Sequence, residues 1–428
     1  MLGSRSHKGR ISSVNNLGLK LHILFLTDNF PPEVNAPASR VFEHCLEWAR
    51  AGERVTVITC APNFPKGVVY DGYYNYIWQS SEIENIKVIR VWSYISANEG
   101  FIKRILDYLS FMFSAILAAL FVLRVDLVVG TSPQFFTVCA AYIVSRAKRI
   151  PFVFELRDLW PESIQAVSAM KADGLIYRWL VRIEIFLYHK ASKIVVVTYA
   201  FKEYLIARGV HEAKIDVVTN GADLEYFFSK VKDQKLIQQL NLRGMFVAGY
   251  IGTHGMAHAL ETLLEAALIL QKNSRAENVR LLFLGDGALK STLITKAAMM
   301  GLNNVVFLES VPKDQISRYW SILDVSIIHL RKVALFTSVI PSKLFESMAM
   351  GIPILHGIAG ESADIVLRED IGEVFGSENA LQLADRLLYL LENPATLARY
   401  KNNGVLAAQM YDRKKLARKM LRTLKDSL

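Results

Sequence analysis

Short, nearly continuous apolar runs alternate along this chain with segments whose apolar residues recur at helical spacing. LHILFLT (21–27) ends in Asp28-Asn29-Phe30-Pro31-Pro32, turn chemistry that stops a strand. The spacing of Val41, Cys45, Leu46 and Trp48 then predicts a helix over 38–51, with Gly52 placed to end it. RVTVITC (54–60), VDLVVGT (125–131), PFVFEL (151–156), KIVVVT (193–198) and KIDVVTN (214–220) repeat the strand type. Runs apolar on both faces suit parallel strands covered on both sides. The series restarts at MFVAGYIG (245–252). VRLLFLGDG (279–287), NVVFLES (304–310), DVSIIHL (324–330) and IPILHG (352–357) follow, with helices predicted at 258–272, 313–322 and 341–350.

Two such series predict an α/β protein of two doubly wound, Rossmann-like domains facing across a cleft. The boundary is expected at the polar turn Asn220-Gly221-Ala222-Asp223. The chain divides into a flexible leader (1–19), an N-terminal domain (20–222), a C-terminal domain (223–405) and a basic helix (406–428). That last helix is expected to pack back on the first domain. Open parallel sheets bind ligands beyond the carboxyl ends of their strands, so the cleft is the expected site.

Composition narrows the function. A chain of 428 residues, 52% hydrophobic and 21% charged, is globular and long enough for two cores. Cys45, Cys60 and Cys139 lie far apart without ligand spacing, which suits reduced, part-buried thiols in a cytoplasmic protein. The net charge of +10 suits an anionic membrane face, a nucleic acid or a phosphorylated substrate. Nine basic residues against Asp412 and Asp426 place +7 of that total between Arg399 and Leu428. Tyr108–Leu123 carries no charge and is flanked by Lys103, Arg104 and Arg124. At sixteen residues it is short of the roughly 20 that a membrane span needs. A buried core helix, an interfacial helix and a span all remain open for it. Nucleic-acid binding has only the charge in its favour, and no GxGxxG follows a strand to suggest a dehydrogenase.

The strongest local pattern is PSKLFESMAMGIP (341–353). Pro341 at a helix's first position and Gly351 just past its end define a short helix. The free amides near Ser342 and Lys343 suit an anion, Lys343 adds a mobile charge, and Glu346 can accept two hydrogen bonds from a ribose diol. A plain capped helix with solvated charges is the alternative. Gly252-Thr253-His254-Gly255, ending a strand, lets backbone amides approach a phosphate. His254 and His258 stand at the i, i+4 spacing of a zinc pair but have no third ligand beside them, so no metal is expected. Gly285-Asp286-Gly287 and Ser310-Val311-Pro312 are further strand-end loops able to face a nucleotide. Arg331 or Lys332 can supplement Lys343. FELRDLWPES (154–163) places Arg157, Asp158 and Glu162 after an apolar strand, as cleft residues or as an internal ion network.

The helix 341–350, the loop Gly360-Glu361 and the turn NGADLEYF (220–227 region) together resemble the family-4 retaining glycosyltransferases of GT-B fold. The resemblance spans about residues 20–428. It matches Glu346 to the second glutamate of that family's Glu-x7-Glu pair, the one holding the donor ribose. The first falls on Ser338, and the usual Arg and Lys of the diphosphate site fall near Thr253 and His258. RDLWPES, GTSPQFF (130–136) and NFPPEVNAPASR (29–40) resemble the branch that builds bacterial capsule, O-antigen and colanic acid.

The resemblance implies a metal-independent enzyme without a further cofactor, moving a hexosyl or N-acetylhexosaminyl unit from a nucleotide diphosphate sugar, with UDP as the expected carrier, and retaining its configuration. The apolar 103–124 stretch with its basic flanks and the basic tail together suggest a preference for an anionic membrane surface, and with it a lipid-linked or growing glycan acceptor at the inner face of the cytoplasmic membrane. Donor contacts are expected from Gly252, Thr253, His254, Gly255, His258, Gly285, Asp286, Arg331, Ser342, Lys343 and Glu346. Arg157, Asp158 and Ser338 are expected beside the reacting sugars, with Asn29, Asn35, Ser132 and Glu162 on the acceptor side. A nucleotide-sugar 2-epimerase of the same fold, needing no acceptor, and a non-catalytic nucleotide-sugar sensor or scaffold are the rival readings.

Overall fold

A computed structural model describes residues 20–64, 66–95, 101–160 and 174–428. The leader 1–19 and Glu162 lie outside the described residues. In the first half, the strands are β1 (His22–Leu26), β2 (Arg54–Thr59), β3 (Trp78–Ile83), β4 (Ile86–Val91), β5 (Leu127–Thr131), β6 (Phe152–Leu156), β7 (Lys193–Val196) and β8 (Ile215–Val217). They form one sheet in the order β3-β4-β2-β1-β5-β6-β7-β8. Only β3 runs antiparallel, as an edge strand whose polar WQSSEI sequence hides it from an apolar-run reading. The second half holds β9 (Phe246–Ile251), β10 (Val279–Leu284), β11 (Val305–Leu308), β12 (Val325–His329), β13 (Ile354–Gly357) and β14 (Gly372–Val374). Their order is β11-β10-β9-β12-β13-β14, all parallel. The chain reverses its direction of travel between β1 and β5 in one sheet and between β9 and β12 in the other. These are the topological switch points where crevices open.

Alternation along β1 assigns each face its helices. Ile23 and Phe25 face the helix Ala36–Arg50, with Val41, Cys45 and Trp48 in the same core. Leu24 and Leu26 face the opposite core, which contains Phe111, Ala115, Ala118 and Ala119 of the helix Phe101–Phe121 and Val138 and Ala141 of the helix Phe135–Lys148. Among the described residues, Lys103–Phe121 is the one helical stretch long and apolar enough to cross a membrane. One side of it is nevertheless packed in this core, while Phe113, Leu117, Leu120 and Phe121 are exposed. Neither a fully buried core helix nor a free span describes it.

The chain leaves the C-terminal domain after the helix Pro394–Ala408 and crosses back, with Asp412 bridging to Ala222. The helix Arg413–Lys425 then buries Leu416, Met420 and Leu424 in the Trp48 core. Its cations meet carboxylates: Arg413 with Glu43 at 2.7 Å, Lys425 with Glu53 at 2.6 Å, Arg418 with Glu47 at 3.4 Å, and Lys414 with Glu225. The sequence suggests that the basic tail and the apolar helix share one membrane preference. That reading is corrected here: the two lie on opposite faces of the same sheet, and much of the tail's charge is neutralised within the chain.

Candidate active site between the two sheets

The ends of β9 and β10 build the C-terminal wall of the cleft. Gly252 and Gly285 both have strongly positive φ, 146° and 147°. A Cβ on Gly285 would stand 1.9 Å from the Gly252 carbonyl oxygen, so the two turns cross at a distance only glycine permits. The His254 amide donates to the Asp286 carbonyl at 2.8 Å, joining these turns, and the Asp286 carboxylate accepts from the Gly287 amide.

Lys343 points into this crossing. The helix Ser342–Met350 starts one residue later than expected, with Pro341 as its N-cap and Gly351 left-handed at its end. Its first amides remain outside the helical ladder. The Lys343 ammonium lies 3.8 Å above the Tyr250 ring centre, beside Gly252, while the Tyr250 hydroxyl donates to the Thr253 carbonyl at 2.9 Å. Its Nζ is buried and has no hydrogen-bond partner. Burial pushes its pKa down to about 7, against a smaller opposing pull from Glu346 one turn along. Glu346 itself is half-buried on the same helix.

The two histidines flank Tyr250, with ring centres 6.0 Å (His254) and 5.8 Å (His258) from it. Burial and the neighbouring lysine charge hold His254 at about 4 and His258 at about 3, so both imidazoles are neutral at pH 7. Neutral, they bring no charge to the Gly252 turn. The positive charge facing the Gly252 turn therefore rests on Lys343. Arg331 is exposed, its backbone amide donating to the Ala257 carbonyl. No group of three metal-ligating side chains occurs among the described residues.

The turn Ala334–Ser338 reaches across the cleft, packing Leu335 against the N-terminal core. Ser338 donates its hydroxyl to the Leu335 carbonyl at 2.7 Å, closing its own turn. Glu361 also crosses, its carboxylate accepting from the amides of Tyr199 and Ala200 at 3.0 and 2.8 Å. A cavity of about 340 Å³ lies between the walls, with Gly252, Asp286 and Ser310 on one side and Asn35, Phe64 and Tyr70 on the other.

On the N-terminal wall the structure separates residues that the sequence groups together. Ser132, expected on the acceptor side, is 2% exposed, and its Oγ accepts from the amides of Arg157 and Asp158 at 2.8 and 3.2 Å. It is corrected to a support for that turn. The Arg157 guanidinium donates to the Pro37 carbonyl at 3.5 Å. Burial lowers its pKa to about 10 while Glu155 and Asp28 pull it back up, and Glu155 is itself paired with Arg40 at 2.9 Å. Asn29 and Asn35 are bonded to each other at 2.6 Å, and Asn35 also caps the helix Ala36–Arg50. Both line a second cavity, together with Asp28, Glu33 and Asp107, carboxyl groups that the sequence reading did not single out. In the sequence Asp28 reads only as part of a strand stop.

Residues 38–226 match the family model described as Glycosyltransferase Family 4, and residues 232–407 match that described as Glycosyl transferases group 1. The probable glycosyltransferase WbjE of Pseudomonas aeruginosa is 26% identical over 205 residues, 48% of this chain and 50% of that protein. This chain thus spans about half the length of the curated relative it matches. Among solved structures, sucrose-phosphate synthase of Thermosynechococcus elongatus superposes with a TM-score of 0.75 at 16% identity, covering 95% of this chain and 99% of that one. Anabaena HepE, solved in complex with UDP-glucose, gives 0.70 at 18% identity, covering 95% and 100%. WaaG, a glycosyltransferase involved in lipopolysaccharide biosynthesis, gives 0.64 at 15%, covering 93% and 98%. With the two models matched in tandem over the two sheets, the chain is built of a Glycosyltransferase Family 4 domain followed by a Glycosyl transferases group 1 domain, in a glycosyltransferase fold of the GT-B kind.

Proposed function

We propose that this chain transfers a sugar from a UDP-linked donor to a lipid-linked or growing glycan acceptor in bacterial surface-polysaccharide synthesis, retaining anomeric configuration without a metal ion or further cofactor. The buried, unpartnered Lys343 ammonium beside the Gly252 turn carries the reading, because a diphosphate is the partner that site lacks. The helix amides at Ser342 and Lys343 would join it, with Glu346 on the ribose. In the transfer, the acceptor oxygen bonds to the anomeric carbon as the bond from that carbon to the diphosphate oxygen breaks. The hydroxyl proton passes to the leaving diphosphate, whose growing charge Lys343 stabilises. A second cavity adjoining the donor cleft favours an acceptor substrate over the epimerase reading, since an epimerase alters the donor alone.

A thermal-shift screen with UDP-, GDP- and TDP-sugars tests the donor. A ligand at about 100 times its Kd stabilises the fold by about 2.7 kcal/mol, so UDP-sugars are expected to raise Tm by several degrees. Glu346→Ala is expected to weaken donor binding about tenfold to a hundredfold, on the scale of lost charge-assisted hydrogen bonds, while the ligand-free Tm stays put. Unchanged donor affinity by calorimetry removes Glu346 from the ribose.

The exposed stripe Phe113, Leu117, Leu120 and Phe121 supports peripheral attachment at the inner face of the cytoplasmic membrane. Trp78 from the β3 edge meets Phe121 edge-on at 6.5 Å and is itself part-exposed, so an interfacial aromatic group belongs to the same wall. Leu117→Glu is expected to reduce binding to vesicles of phosphatidylglycerol and phosphatidylethanolamine at least tenfold in a sedimentation assay, since inserting one charge costs about 2–3 kcal/mol. Equal sedimentation of both proteins sinks the membrane assignment.

A further inference from the structure

The helix Arg413–Lys425 presents three different sides. Leu416, Met420 and Leu424 are buried in the Trp48 core, while Arg413, Lys414, Arg418 and Lys425 meet carboxylates. Lys415, Lys419 and Arg422 remain. Spaced by four and then three residues, they share one side of the helix, and that side lines a cavity of about 690 Å³. Among the described residues no carboxylate pairs with any of the three. Lys415 donates to the Gln409 carbonyl at 2.9 Å.

The cavity lies at the hinge end of the space between the sheets. Tyr199 and Thr219 reach it from the ends of β7 and β8, and the helix Glu361–Arg368 closes it from the second domain. It shares no lining residue with the donor cleft or with the cavity beside β1. Arg368 is the cation on that second wall, and its guanidinium reaches Glu369 at 2.9 Å and the Tyr411 hydroxyl at 3.2 Å. Two carboxylates share the lining, Glu361 and the exposed Asp364. The Glu361 carboxylate is already occupied by the amides of Tyr199 and Ala200, across the domain boundary. The cations therefore outnumber the acids, and they belong to different bodies. Three ride on a helix fastened to the first domain, and Arg368 moves with the second.

Like charges on two facing walls resist the approach of those walls. A ligand with two or more negative charges reverses that term, and it binds best where both walls are present, so it favours the state in which they are close. The volume suits a sugar phosphate or a nucleotide. Tyr199, 58% exposed, offers such a molecule a ring face. The exposed apolar stripe of the helix Phe101–Phe121 lies on the opposite face of the first sheet, which favours a soluble ligand over a lipid headgroup.

We propose that this hinge cavity is a second anion site, taking a soluble molecule with two or more negative charges on phosphate. Its occupancy holds the domains in the arrangement where Glu361 caps the helix Tyr199–Ala207. The site lies apart from the donor cleft and does not depend on the transferase reading.

Calorimetric titration of the full chain with pyrophosphate tests this. Binding is expected in the unaltered chain and also in Lys343→Met, where the cation beside the Gly252 turn is gone. It is expected to weaken about tenfold or more in Lys419→Gln/Arg422→Gln, two exposed positions whose replacement leaves the ligand-free Tm in place. In hydrogen exchange, pyrophosphate is expected to increase protection of the Tyr199 and Ala200 amides in the unaltered chain but not in the double variant. Loss of all binding in Lys343→Met, equal affinity in the double variant, or unchanged protection at those amides overturns the proposal. It falls equally if pyrophosphate does not bind while phosphatidylglycerol vesicles pellet the unaltered chain and not the double variant, since the stripe is then a membrane surface.

Discussion

Lys343→Met is expected to lower donor affinity by about 2–4 kcal/mol, roughly 30-fold to 700-fold, while leaving the ligand-free protein equally or more stable. The two effects differ in sign because the same ammonium is a burden in the empty site and a partner in the filled one. In the empty protein it sits over the Tyr250 ring without a hydrogen bond. Burial lowers its pKa from an ordinary 10.5 to about 7. Between those values the unfolded chain holds a proton that the folded one has released, so wild-type stability rises with pH across this window. Below about pH 7 both states are protonated, and the cost of the buried charge is fully present. The methionine variant lacks this term, so its stability advantage is expected to be largest below pH 7 and to vanish above about 10.5. A diphosphate would restore the charged form. Donor binding at pH 8 is therefore expected to take up close to one proton, measured by calorimetry in buffers of different ionisation enthalpy, and little at pH 6. If Lys343→Met shows wild-type proton uptake, the titrating group is elsewhere and Lys343 is not the diphosphate cation.

How far the sequence revealed this site depends on how local each part is. The strands β1, β2, β5, β6, β9 and β10 are legible because burial on both faces leaves an apolar run that needs no partner to be recognised. The Gly252 and Gly285 turns and the Ser342–Met350 helix are legible for a similar reason, since glycine and proline mark their own geometry. The edge strand β3 leaves no such mark, because one side of it faces water and its residues alternate weakly. Asp28, Glu33 and Asp107 were missed because periodicity says which face a residue takes and not which distant residue it meets. Asp107 stands one position before the uncharged stretch, where it reads as a helix-end charge; only the packing of that helix beside β1 turns it into a cavity wall. Ser132 shows the reverse case. Its place after a strand suggests a ligand contact, yet the neighbouring turn consumes its hydroxyl. Charge was legible as a total but not as a surface, since the acids that pair with the basic tail lie mostly near residues 43–53.

Trp48→Ala is expected to destabilise the N-terminal domain by about 3–5 kcal/mol and to loosen the C-terminal helix before the rest of the chain unfolds. Trp48 is fully buried, with the Phe25 ring 6.1 Å and the His44 ring 5.9 Å away. Its indole N–H donates to the Ala417 carbonyl at 2.8 Å, so one side chain fills the core and fastens the returning helix. The ion pairs around it are weaker fasteners. Arg418 is 64% exposed at the side chain, and such a pair contributes at most about 1 kcal/mol. Hydrogen exchange followed by mass spectrometry separates these contributions. In Trp48→Ala, amides across 416–424 are expected to lose protection by a larger factor than the strands of the second sheet, whereas Arg418→Ala is expected to leave them close to wild type. The clasp matters for catalysis because this helix begins immediately after Asp412, which bridges to Ala222 at the crossing between the domains. A loosened helix gives the two walls of the cleft more relative freedom, so kcat/KM is expected to fall further than donor affinity, which depends on the C-terminal wall alone. Equal protection in both variants would show that the hydrophobic seam around Met420 and Leu424 suffices to hold the helix without the indole.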